Sequence, residues 1–373
     1  MGERRAWFLI SKPLRAPFAD GSSVLVRTLV EATDPAFPFR YFGDPRTPLR
    51  DEGVDVVVPR RAMGHAPSLL AKAGVLAELV RFEHRNRPLH FFFTPNAITS
   101  RVLTVLRTLT PRRPVVQSIM SSDRVEAHLP LLRDLDAVVV GSDHTRARLV
   151  AAGMPTERVH RIYPGVPLVE FDDRPRDSRA LYAGDLDPHT ARRLVACARA
   201  LERPELAAWR LTIACRPKGE GDAEARAWLR SELADLLERG RVELRGQVDD
   251  FEGLLRACRF QLYLADHVRK KVDLPLAVLE GMARGLGLVA LDFAPLDEVF
   301  ATAEAHGLDV GERLPVDAPS ATLEARFAAI LASQGRFERW HTDTRRLVEA
   351  EFSAGRLARD HRELYDMLDV RHG

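Results

Sequence analysis

The chain of 373 residues is 46% hydrophobic and 29% charged, the balance of a globular protein rather than of a membrane-embedded or disordered one. A formal charge of +2 gives no overall attraction to nucleic acid, and the basic residues gather only locally, as in Arg60-Arg61, Arg112-Arg113 and Lys270-Lys271. The length exceeds what one ordinary core serves, so two domains are expected.

AWFLIS (6–11) reads as a buried strand. Lys12 and Pro13 end its apolar run, which is too short for a secretory leader. A turn-rich loop, 13–23, holds Pro17, Asp20 and Gly21. SSVLVRTLVEAT has helical spacing, with Ser22 or Ser23 as the expected cap. FRYFG and VDVVV follow as strands, SLLAKAGVLAELVRFEHR as a helix, and LHFFFT and PVVQSIM as strands. AVVVGS ends at Ser142, and Asp143 is placed to cap a helix running through Val150. Strands alternating with helices predict a mostly parallel sheet, with ligands gathered beyond the strand C-termini. Loops 13–23, 94–96 and 121–123 fall on that edge.

The rhythm breaks in RVHRIYPGVPLVEFDDRPRDSR, which predicts a linker over 166–179. A second series follows. ALYAG, RLTIA, VELRG, FQLYLA and GLVALD read as strands, with helices over 190–201 and 223–239 and another through Leu254-Leu255. From about residue 320 the pattern is helical, closing in RLARDHRELYDML. No GxGxxG follows a strand and no glycine-rich phosphate loop is present, which argues against a nicotinamide dehydrogenase or a P-loop enzyme. Cys197, Cys215 and Cys258 lie far apart without CxxC spacing, so neither a metal site nor a disulfide framework is expected. No apolar stretch reaches the ~18–20 residues of a membrane span. A cytoplasmic location is expected.

Four segments in order carry a family resemblance: DAVVVGSDHTRARLVAAGMPTERVHRIYPGV, LYAGDLDP, PLAVLEGMARGLGLVALD and FSAGRLARDHRELY. Together they resemble the GT-B glycosyltransferases, especially the large family 4, over nearly the whole chain. The resemblance implies an α/β protein of GT-B architecture, two Rossmann-like domains facing across a cleft, with C-terminal helices. It places an acceptor-side domain at 1–165, the linker at 166–179, a donor domain at 180–355 and a helix at 356–373 crossing back to the first domain. It implies a UDP- or GDP-sugar donor, a glycan, lipid-linked or small-molecule acceptor, retention of anomeric configuration and no essential metal or other cofactor. A peripheral contact with the inner face of the plasma membrane fits such acceptors. The stretch 69–87, apolar on one side and basic near its end, suits either a membrane surface or a domain core.

Sugar transfer from a nucleotide breaks a bond to a diphosphate, whose growing charge must be neutralised. KKVDLPLAVLEGMA (270–283) offers fixed cations and a helix start for that purpose. Pro275 suits the first helical turn, and Lys270 and Lys271 precede it. Lys271 is the preferred catalytic cation. By the resemblance, Glu280 accepts the ribose hydroxyls, and a carboxylate suits two hydroxyl donors. The family glutamate eight positions earlier is Val272 here, and the adjacent Asp273 is its expected catalytic substitute. The family's phosphate-binding arginine and lysine fall at Asp185 and Thr190, so that clamp is missing. Arg216 and Lys218, after RLTIA, are candidate replacements. Gly21 and Ser22, in the first-domain loop, are expected near the donor phosphate, where glycine lets backbone approach closely. Asp185 and Asp187 form a DxD that reads either as a helix cap or as a metal pair. Two other readings compete with transfer: an epimerase acting on the nucleotide sugar, and an inactive relative that binds a nucleotide sugar or a partner protein.

Overall fold

A computed structural model describes residues 6–14, 18, 20–43, 49–50, 55–57, 74, 77–79, 81, 87–93, 108–109, 113–171, 176–216, 220–268, 271–333 and 335–372. Contacts divide the chain into two units. One comprises Met1–Pro167, Arg269–Asp273 and Phe352–Gly373, and the other Leu168–Val268 and Leu274–Glu351. Thus the first four positions of the KKVDLPLAVLEGMA segment, 270–273, belong to the first unit.

In the first unit the elements are β1 (Trp7–Leu14), α1 (Gly21–Ala32), β2 (Phe39–Gly43), β3 (Asp55–Val57), β4 (Leu89–Phe91), β5 (Val115–Ile119), β6 (Ala137–Val140), α2 (Asp143–Ala151) and β7 (Val159–Arg161). The strands form a seven-stranded sheet in the order β3-β2-β1-β4-β5-β6-β7, and every pair is parallel. Every residue of VVQSI and AVVV is buried, as expected of parallel strands covered on both faces. β1 runs past the apolar stretch to Leu14, with a register shift between Leu9 and Leu14. Of the helix predicted from SLLAKAGVLAELVRFEHR, residues 74, 77–79 and 81 are described; the first four are helical and Arg81 lies in a bend; the 94–96 loop lies outside the described residues.

Two helix starts differ from expectation by a residue or more. Asp20, not Ser22 or Ser23, caps α1: its carboxylate accepts the Ser23 N–H at 3.2 Å and the Ser23 hydroxyl at 2.8 Å. Ser142, not Asp143, caps α2, accepting the Thr145 N–H at 3.1 Å. In each case the residue two or three positions ahead of a free amide has the shorter reach to it.

The C-terminal helix (Ala354–His372) belongs to this unit. Tyr365 stacks on Trp7 with centroids 4.0 Å apart. Its hydroxyl meets His90 Nδ1 at 2.6 Å, and His90 Nε2 meets Ser118 Oγ at 2.7 Å. His90, the middle residue of β4, is therefore a buried structural residue. His361 lies beside it, ring centroids 5.5 Å apart. Burial lowers His361 to about 4, and burial together with His361 holds His90 well below the usual imidazole range. At Gly165 an added Cβ would lie 2.7 Å from Leu357 Cβ and from the Ser353 carbonyl, so only glycine fits beside this helix's start.

The second unit contains β8 (Arg179–Ala183), α3 (Pro188–Arg199), β9 (Arg210–Ala214), α4 (Glu220–Glu232), β10 (Val242–Arg245), α5 (Phe251–Ala257), β11 (Phe260–Tyr263), α6 (Leu276–Ala283), β12 (Gly287–Leu291), α7 (Asp297–Ala305), β13 (Gly311–Leu314), α8 (Ser320–Ala332) and α9 (Gly335–Leu347). Its six strands are parallel in the order β10-β9-β8-β11-β12-β13. Both sheets thus share the 3-2-1-4-5 winding of doubly wound nucleotide folds, with switch points between β1 and β4 and between β8 and β11. The core of this unit is aromatic and apolar. Phe260 is surrounded by Trp209, Phe327, Phe337 and Trp340, with centroids 5.6–6.2 Å away.

Candidate functional site

In the first unit, the residues beyond β5 and β6 meet the 271–273 segment. Asp273 donates its N–H to the Met120 carbonyl at 2.7 Å. Its carboxylate accepts the Ser122 N–H at 2.5 Å, the Ser142 hydroxyl at 2.5 Å and the Thr145 hydroxyl. Asp273 is 0% exposed. The expectation that it replaces the family's sugar-contacting glutamate does not fit this arrangement, because both oxygens face inward and already hold donors. Val272 is buried as well, and its Cγ2 would lie 2.9 Å from a Cβ added at Gly21. Gly21 is thus needed for the close approach of this chain segment. Gly21 opens α1, Ser22 is half-buried in its first turn, and Lys12 pairs with the cap Asp20 at 3.4 Å. Lys271, also half-buried, immediately precedes Val272. Lys270 lies outside the described residues.

In the second unit, α6 carries Glu280. Pro275 is the N-cap with φ −60° and ψ 126°, one position before the helix proper, rather than within its first turn. Gln261 on β11 donates to the Val278 carbonyl at 2.8 Å and packs on Gly281, where a Cβ would come within 2.5 Å of its amide nitrogen. This contact sets the rotation of α6. Val278, Leu279, Gly281, Met282 and Ala283 are buried, while Leu276, Ala277 and Glu280 are half-exposed. The spacing 276, 277, 280 is one helix face, so Glu280 belongs to the less buried stripe. Arg284 donates to the Glu280 carbonyl at 2.8 Å and pairs with Glu252.

Asp187 caps α3, accepting the His189 N–H at 2.8 Å and the Thr190 N–H at 2.9 Å. Burial opposes its ionisation, but these amides, the Thr190 hydroxyl and His267 outweigh it and hold its carboxyl below the ordinary value. His267, beyond β11, stands 3.9 Å from Asp187. It is a candidate neighbour of the sheet edge that sequence reasoning missed, because a lone histidine in a loop carries no pattern. The Tyr182 hydroxyl donates to the Asp185 carbonyl at 2.5 Å. Among the described residues, no three His, Cys, Asp or Glu side chains gather as a metal-binding group. Arg216 follows β9 and is exposed, and Lys218 lies outside the described residues. A cavity of about 610 Å³ opens beside the loop after β10, lined by Arg179, Arg245, Gln247, Asp249 and Asp250 among others. None of the residues predicted from sequence lines it.

The two sheets have the windings of GT-B proteins, and the likeness to solved structures gives that fold class. The chain is similar over 97% of its length to all of Anabaena Alr3699/HepE in complex with UDP and glucose, at 15% identity and a TM-score of 0.69. A glycosyltransferase from Rickettsia africae ESF-5 matches 98% of each chain at 11% identity, TM-score 0.67. The lipopolysaccharide outer core galactosyltransferase WaaB, in its apo form, matches 97% of this chain and 99% of its own at 13% identity, TM-score 0.65. No family model matches the sequence, and a search of the curated proteins found no match to it. Among the described residues no helix is long and apolar enough to cross a membrane.

Proposed function

We propose that the protein is a glycosyltransferase moving a sugar from a UDP- or GDP-sugar to a glycan, lipid-linked or small-molecule acceptor, with retention and without a divalent metal. The observation that carries this reading is the end-to-end likeness to GT-B structures, among them HepE solved with UDP-glucose. Glu280, on the half-exposed stripe of α6, accepts the ribose hydroxyls. Lys271 supplies positive charge to the diphosphate as the bond to the sugar breaks. Arg216, Gly21 and Ser22 are secondary donor contacts. Work beside the cytoplasmic face of a membrane fits a lipid-linked acceptor.

The test is calorimetric titration with UDP and with GDP, followed by assays of sugar transfer and donor hydrolysis. Lys271→Ala should raise the nucleotide Kd about tenfold, roughly 1.4 kcal/mol. Activity that persists in EDTA supports the metal-free reading. One observation favours a second reading, the inactive relative: with Val272 and Asp273 both buried, no carboxylate stands ready at the family's sugar-contacting position. Nucleotide binding with neither transfer nor hydrolysis from any UDP- or GDP-sugar would decide for it.

A further inference from the structure

We infer that Asp273 is a positioning residue: its buried carboxylate fixes Lys271 and Val272 at the N-terminal turn of α1. The inference rests on the nucleotide-sugar reading only where it says what Lys271 then does. Three donors converge on Asp273 from Ser122, Ser142 and Thr145, and its own N–H is taken by Met120. These partners lie at the ends of β5 and β6 and in the first turn of α2, so the segment is tied to three consecutive elements of one unit. The Ser142 hydroxyl serves twice, accepting the Thr145 N–H at 3.1 Å while donating to Asp273. The N-terminal end of α2 adds favourable charge to the carboxylate.

The residue type follows from the donor set. Ser122 donates through its main chain and cannot reverse its role. Ser142 and Thr145 donate to the other oxygen. Aspartate accepts all three as they stand; asparagine keeps the Ser122 bond only by turning its NH₂ to the two hydroxyls, which must then accept and find other acceptors for their own protons. One residue upstream, Val272 packs so closely on Gly21 that no Cβ fits there. The bond set therefore determines where the backbone of 271–272 lies relative to Gly21 and Ser22. Lys271 takes its place from Asp273 rather than from its own contacts alone.

A double-mutant cycle tests this. Nucleotide Kd and Tm are measured for the wild type, Lys271→Ala, Asp273→Asn and the double variant. Asp273→Asn should weaken UDP or GDP binding nearly as much as Lys271→Ala, about tenfold, and the double variant should be no weaker than either single one. A purely structural role would instead give additive losses, and that result overturns the inference. So does an Asp273→Asn protein that binds as tightly as the wild type. Should Asp273→Asn not fold, Ser142→Ala removes one donor and should weaken binding two- to threefold, with no further loss in the Lys271→Ala background. If the wild type binds neither nucleotide, the nucleotide reading falls. The positioning role is then read by hydrogen exchange of the amides at 271–273, which should speed up more than tenfold in Ser142→Ala; unchanged exchange overturns it.

Discussion

The two units share a winding but not a core. The first closes its sheet under the C-terminal helix with a polar aromatic group, His90, Ser118, His361 and Tyr365 against Trp7. The second closes with Phe260 amid Trp209, Phe327, Phe337 and Trp340, where Trp340 Nε1 donates to Asp309 at 2.9 Å. Equivalent topology thus tolerates opposite chemistry under it. The first unit also has an apolar cluster, around Phe8, Phe91, Val138 and Val140, but the group under its last helix rests on hydrogen bonds that a proton can disturb, and the aromatic group of the second rests on packing.

The largest expected effect breaks the second core. Phe260→Ala should cost about 3–5 kcal/mol, because rigid rings on all sides cannot close the void. Urea unfolding provides the measure, and the thiols localise it. Cys197, Cys215 and Cys258 are all buried in the second unit, where burial pushes each up to about 12. A pyridyl disulfide should leave them unmodified until that unit opens, and in Phe260→Ala the labelling transition should move to lower urea.

Next in size is the response to acid. His361 at about 4 lies below its ordinary unfolded value of about 6.5, so protons bind the unfolded chain more readily. Its contribution is complete above about pH 6.5 and fades as the pH falls toward 4. Between pH 7 and 5 it should remove about 2 kcal/mol from the first unit, and His90 adds in the same direction. His361→Leu should flatten that dependence in urea titrations at the two pH values. Thiol labelling at pH 5 should remain slow if the acid effect is confined to the first unit.

The smallest effect lies at the helix caps. Asp20→Ala in the first unit and Asp187→Ala in the second should each cost about 1 kcal/mol by thermal melting. Near equality would place the difference between the units in their cores and not in their helix ends.

The fold could be read from the sequence where strands are continuous apolar runs, such as AVVV and GLVAL. It could not be read where an element is short or polar. β7 (VHR), β13 (GERL) and α7 (DEVFATAEA) take their place from neighbouring strands and leave little pattern of their own. The site was readable to the same extent. Glu280 and Gly21 stand out locally, one by its apolar neighbours and one by its turn. The bonds of Asp273 come from Ser122, Ser142 and Thr145, between 128 and 151 positions away, and no local spacing could encode them. Sequence proximity to Val272 suggested a donor contact; the fold turned the same carboxylate inward.

The discontinuity of the first unit has a consequence for biosynthesis. On a ribosome, the second unit has all its residues once position 351 has emerged, whereas the first still awaits 352–373. Until then Trp7 lacks Tyr365 to stack on, and His90 sits in the nascent sheet without the hydroxyl that completes it. The unit begun first is thus finished last, and its final helix arrives as the latch on a half-built sheet.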